Sequence, residues 1–196
     1  MDADQVTALR ILLGSSPWLA RTRSFARTLR GSASRTASGL LLVGTPEEEP
    51  WHLAAHLDQE SRLAGIPGLS PTLVRWAPPP GAPPHLGVGM TRLEQARRGE
   101  TLFVVSPEAA PAPLLQRVHD ARKVGATILA LDQGDPELDD LAHEYLSVAP
   151  DQAPVSFTAA QHLVSLAAGE PGPAKSGVRS RLARLLDAVS GPQAGD

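Results

Sequence analysis

Apolar residues fall along this chain in two alternating patterns. Leu40 to Val43, Leu102 to Val105, Ala126 to Leu131 and Tyr145 to Val148 are mostly apolar runs of strand length, the pattern of parallel strands buried on both faces. Three of them hand over to turn residues, at Gly44-Thr45-Pro46, Ser106-Pro107 and Asp132-Gln133-Gly134. Thr72 to Trp76 is a weaker fifth candidate, cut off by Pro78 to Pro80. Between the strands the period changes to that of a helix. Trp51 to Leu63 repeats apolar or small residues at Leu53, Ala54 and Leu57, and Leu114, Leu115, Val118 and Ala121 form a second stripe that Gly125 closes. Asp135-Pro136 is a helix start with Leu138, Leu141 and Ala142 facing inward, and Ser156 caps a further helix through Ala168 that Gly169 ends.

Strands alternating with helices predict a doubly wound, mainly parallel five-stranded sheet flanked by helices, an α/β three-layer sandwich of Rossmann-like type. We expect an N-terminal helical segment at 1–34, the α/β domain at 35–169, and a tail at 170–196. The tail combines a Pro/Gly linker with an amphipathic helix, Ser176 to Ser190. Its stripe of Val178, Leu182, Leu185, Leu186 and Val189 should dock on the body or on a neighbouring subunit. Pro78 to Pro84, lacking most backbone donors, is a stiff loop.

In a doubly wound sheet, ligands sit at the carboxyl ends of the strands. Candidate segments are therefore Gly44 to Glu49, Ser106 to Pro111 and Asp132 to Asp135, which puts Asp132 among the candidate ligand-binding residues.

Composition removes several chemistries. The 196 residues include no cysteine, which excludes disulfides, thiolate nucleophiles and Cys-held metals. No Gly-x-Gly-x-x-Gly, Walker lysine or Gly-x-Ser-x-Gly elbow stands at a strand end, and no cofactor is expected. The net charge of −3 is unevenly distributed: residues 1–39 carry +4, residues 40–169 carry −8 and the tail +1. A basic helix on an acidic body does not make the continuous basic face that nucleic acid needs, so no nucleic-acid partner is expected. Arg21, Arg23, Arg27 and Arg30 read instead as the solvated side of a helix, facing solvent or another subunit. The start of the chain lacks the basic and apolar regions of a secretory signal, and no run approaches a membrane span. No membrane association and a cytoplasmic location are the resulting expectations.

His52 and His56, four apart on a helix, could both face a metal, but the glutamate of the metalloprotease helix and a third ligand are missing, so no metal site is assigned. Glu47, Glu48 and Glu49 suit a helix N-terminus electrostatically and make phosphate a poor ligand there.

Three stretches resemble the sugar isomerase (SIS) domain of phosphoheptose isomerases and phosphosugar-sensing regulators. They are Gly99-Glu100-Thr101-Leu102-Phe103-Val104-Val105-Ser106, Ala121 to Leu131, and Leu138 to Val148. The resemblance covers roughly residues 35 to 168. It implies a phosphosugar site built from the turns after the first strand and the Ser106 strand, with Gly44, Thr45 and Ser106 as matching ligand-binding residues. A late helix carrying Glu and His in the family is matched by Gln161 and His162, which makes His162 the catalytic candidate. The match is partial. Proline and glutamate stand in both turns where the family has Gly and Ser, and the acid beside His162 is missing. The implied reading is a non-catalytic SIS-like protein that dimerises and binds a carbohydrate derivative or a protein partner. The alternative is an aldose–ketose phosphosugar isomerase or phosphosugar-binding regulator in which Thr45, Ser106 and His162 act, His162 as general acid/base.

Overall fold

The computed structural model describes residues 17–34, 39–149, 153 and 155–170. The expected helix at Ser176 to Ser190, and the linker before it from Pro171 on, lie outside the described residues. Helix α1 (Pro17–Ala33) precedes β1 (Leu40–Val43), α2 (Trp51–Ala64), a 3₁₀ turn (Pro67–Leu69) and β2 (Thr72–Val74). The chain continues through α3 (Thr91–Glu94), β3 (Thr101–Ser106), α4 (Ala112–Lys123), β4 (Thr127–Asp132), α5 (Pro136–Leu141), β5 (Glu144–Ser147) and α6 (Phe157–Gly169).

The five strands form one parallel sheet in the order β2-β1-β3-β4-β5. All four main runs pair in parallel, as expected. The fifth candidate is the edge strand β2, shortened because Arg75 and Trp76 leave the ladder. The last strand begins at Glu144, one residue earlier than its apolar run, and Val148 stays buried beyond its end.

Alternation within each run explains why the runs look continuous. Leu40 and Leu42, with Phe103, Val105, Leu129, Leu131 and Leu146, face a core shared with α1, α2 and α6. Leu41 and Val43, with Leu102, Val104, Ile128 and Ala130, face the opposite core, formed with α4, α5 and Leu93 of α3. Both faces of β1, β3 and β4 are thus covered, and the pattern of period two disappears from their sequence.

The helix signals work as local chemistry predicts. Asp135 Oδ1 accepts the N–H groups of Glu137 (3.0 Å) and Leu138 (3.2 Å), and Ser156 Oγ accepts that of Ala159 (3.2 Å). Gly125, at φ +93°, turns the chain from α4 into β4, a conformation that side chains rarely adopt. Helix α2 starts at Trp51, where the sequence places it, and Glu47 to Glu49 lie just before it. One reading needs correction. Arg30 is not wholly solvated: it lies half-buried and donates to the carbonyls of Ala168 (3.4 Å) and Glu170 at the end of α6.

Winding reverses between β2 and β3, since β2 lies on one side of β1 and β3 on the other. The turns after β1 and β3 therefore flank the switch point, where such sheets bind ligands.

Candidate functional site

The turn after β1 is closed on itself. Thr45 N–H donates to Glu48 O (3.1 Å), and Glu48 N–H donates to Thr45 Oγ1 (3.1 Å). A Cβ at position 44 would collide with the Glu48 carbonyl and lie 2.5 Å from Pro50 Cδ, so only glycine fits under this turn. Trp76 Nε1 donates to Gly44 O (2.8 Å), tying the turn to the chain that leaves β2.

The turn after β3 is closed in a similar way. Ser106 Oγ is fully buried and donates to Glu108 O (2.6 Å), and the Ala110 N–H donates to Asp135 Oδ2 (2.7 Å). Thr45 is buried as well. Both candidate hydroxyls, and the amides of Thr45, Glu48 and Ala110, are thus engaged within the protein.

Ser106, Asp132 and Ser147 stand in register across β3, β4 and β5. Asp132 is buried. Its Oδ1 accepts the N–H of Gly134 (2.6 Å), and burial, with the nearby Asp135 charge, raises its pKa against these bonds. The neighbouring Asp139 is pushed up to about 7, by burial first and then by its contact with Asp132. A small recess of about 260 Å³ lies beside this group, between Pro107–Ala109 and Gln133–Pro136.

The late-helix candidates lie on α6. Gln161 is buried in α6. The ring of His162 packs edge to face on His56 of α2, with centroids 4.3 Å apart. Burial lowers the pKa of His162, and the nearby His56 and His52 lower it further. The helical pair seen in the sequence therefore meets a third ring from α6. Among the described residues, no group of three or more His, Asp or Glu is arranged to hold a metal ion.

On the β2 side of the closed Gly44 turn lies an open cleft of about 810 Å³, lined by Glu47, Glu48, Glu49, Trp51, His52, Arg75 and their apolar neighbours. Glu49 is bound to the Arg75 guanidinium (2.7 Å) and accepts the Trp76 N–H (3.3 Å), which fixes the cleft floor. Glu47 and Glu48 are exposed, and Trp51, 60% exposed, stacks on His52 with centroids 4.3 Å apart. Sequence reasoning missed Trp51 and Arg75. The signal for Trp51 was a bulky aromatic one proline past an acidic run; Arg75 had none, because its partner is 26 residues away.

The architecture defines an α/β protein of the SIS-like, three-layer class. Neither a protein-family model nor a curated protein sequence matches the chain. Solved structures do. A "putative phosphosugar isomerase" from Silicibacter pomeroyi DSS-3 superposes at a TM-score of 0.59 and 14% identity, over 96% of this chain and 54% of its own. A "putative sugar binding protein" from Salmonella typhimurium LT2 superposes at 0.56, also with 14% identity, over 96% of this chain and 53% of its own. The chain thus spans about half the length of these neighbours. At such identities the likeness establishes the fold, which is the one the sequence motifs resemble. Among the described residues, no helix is long and apolar enough to cross a membrane.

Proposed function

We propose that this chain is an SIS-like domain without phosphosugar catalysis, which acts as a cytoplasmic homodimer by binding a carbohydrate derivative that lacks phosphate, or a protein partner. The observation that carries this reading is the closure of both turns at the switch point. Thr45 and Ser106, the hydroxyls a phosphate would recruit, are both buried; Ser106 donates to the Glu108 carbonyl and Thr45 Oγ1 accepts the Glu48 N–H within their own turns. A phosphate needs free N–H groups and no competing charge, whereas Glu47 and Glu48 stand exposed beside one turn.

The test is a thermal-shift panel of sugar phosphates set against the same sugars without phosphate. A ligand at a hundred times its dissociation constant stabilises by about 2.7 kcal/mol, which is roughly 5 to 10 °C for a chain of this size. We expect the phosphorylated set to be silent. A sugar phosphate that shifts the melt, is interconverted between aldose and ketose, and loses turnover in Ser106→Ala overturns the reading in favour of an isomerase using Thr45, Ser106 and His162. Light scattering that finds a monomer removes the homodimer from the proposal.

A further inference from the structure

We infer that the cleft beside β2 is a binding site for an amine-bearing carbohydrate without phosphate; this rests on the function proposed above and names its ligand class and place. The volume, about 810 Å³, falls within the roughly 300–1,000 Å³ of small-molecule sites. The floor is built in advance, because Glu49 holds Arg75 at 2.7 Å and takes the Trp76 N–H. That pairing matters for selectivity. The cleft's one guanidinium is already claimed, and three carboxylates line the same space.

Glu47 and Glu48 are exposed and form no ion pair with a described residue. A carboxylate only accepts hydrogen bonds, so this wall suits sugar hydroxyls and an ammonium group and repels phosphate. The opposite chemistry comes from Trp51 and Leu86, which are 60% and 43% exposed. The Trp51 ring, braced by its stack on His52, offers a flat face to the C–H side of a sugar ring and to a cation near it. Carboxylate acceptors and an aromatic face lining one cleft suit a polyhydroxylated, positively charged ring.

The probes are glucosamine, glucose and glucosamine 6-phosphate, titrated into the full chain with tryptophan fluorescence and calorimetry as readouts. Glucosamine should saturate and bind at least tenfold more tightly than glucose, with the phosphate ester weakest. The double variant Glu47→Gln/Glu48→Gln, whose changes are exposed and leave the melting temperature in place, should abolish the advantage of glucosamine over glucose. Trp51→Ala should weaken both. Equal binding of glucose and glucosamine, with the ester silent, overturns the amine inference and leaves the proposed function standing. An unchanged preference in the double variant, or no saturation by either sugar, also overturns it. An ester that binds more tightly than glucosamine overturns the proposed function itself.

Discussion

Asp132, the last residue of β4, and Asp139, in α5, are neighbouring carboxyls whose buried atoms Asp132 Oδ2 and Asp139 Oδ1 have no other hydrogen-bond partner among the described residues, and burial with the Asp132 charge raises Asp139. Two ionised carboxylates can only accept, so a bond between them needs a proton, which the raised Asp139 holds most readily. The same residues carry the turn into α5, since Asp132 Oδ1 takes the Gly134 N–H and Asp135 caps the helix. The state of that proton is therefore tied to how firmly the β4 turn is held.

This predicts a pH dependence of definite sign. Asp139 is raised from 3.8 to about 7 in the folded chain, which then binds more protons than the unfolded chain between those values. The contribution of Asp139 to stability is greatest below that window and declines as pH rises through it, while His162, held below its ordinary value by burial, acts in the opposite sense. The melting temperature should be lower at pH 8 than at pH 5.5. Asp139→Asn supplies an N–H donor to Asp132, and should flatten the slope and raise the melting temperature at pH 8. A hydrogen bond to a charged group is worth about 1.5 to 3 kcal/mol. Melts of both proteins from pH 5 to 8.5 check this; an unaltered slope in the variant would place the dependence elsewhere.

Arg30 should be worth more than a surface arginine. Its guanidinium reaches the carbonyls of Ala168 and Glu170 at the end of α6, where helix carbonyls lack partners and the dipole favours a cation. Arg30→Ala should cost about 1 to 2 kcal/mol in urea unfolding, and Arg30→Lys should recover part of it. Arg27, exposed on the same helix, should be neutral when replaced by alanine. Equal effects at 27 and 30 would remove the capping role.

Much of this fold was legible because its signals are local. Runs buried on both faces, the Asp135 and Ser156 caps and the glycine at 125 each act within a few residues, and each appears where the sequence places it. The site was less legible, since its features are long-range. Glu49 finds Arg75 and Trp76 across the gap between β1 and β2, and His56 finds His162 only because α2 packs on α6. The three glutamates illustrate the difference. A dipole argument accounts for their place just before α2, where they stand, but says nothing of Glu49 pairing with Arg75 across the gap to β2.

Glu100 anchors the entry to β3. It is nearly buried, accepts Arg92 Nη2 at 2.5 Å, and accepts the Arg97 N–H at 2.8 Å. Arg92 keeps a quarter of its side chain in solvent, so the loss on Glu100→Ala should fall below the 3–5 kcal/mol of a fully buried pair, at about 2 kcal/mol. Glu100→Gln should lose less, because an amide oxygen still accepts from Arg97. Chemical denaturation of both variants reads the difference, and equal losses would assign the effect to packing alone.

The closure of the β1 turn can be tested through Gly44 itself. A methyl group at this position has no room: the Glu48 carbonyl and Pro50 Cδ, at 2.5 Å, occupy it. The turn must then swing away and break the Thr45–Glu48 pairing, along with the bond from Trp76 Nε1 to Gly44 O. Overpacking of this kind costs about 1 to 3 kcal/mol, and Gly44→Ala should lose at least 2 kcal/mol, with a red shift in tryptophan emission as Trp76 is released. Gly31 supplies the contrast. It lies exposed in α1 with nothing within 4 Å of an added Cβ, so Gly31→Ala should stabilise by about 0.5 to 1 kcal/mol through helix propensity alone. Opposite signs at two glycines in one chain separate close packing from backbone entropy. If both substitutions raise the melting temperature, the turn is looser than its hydrogen bonds imply, and the argument that it is closed to phosphate falls with it.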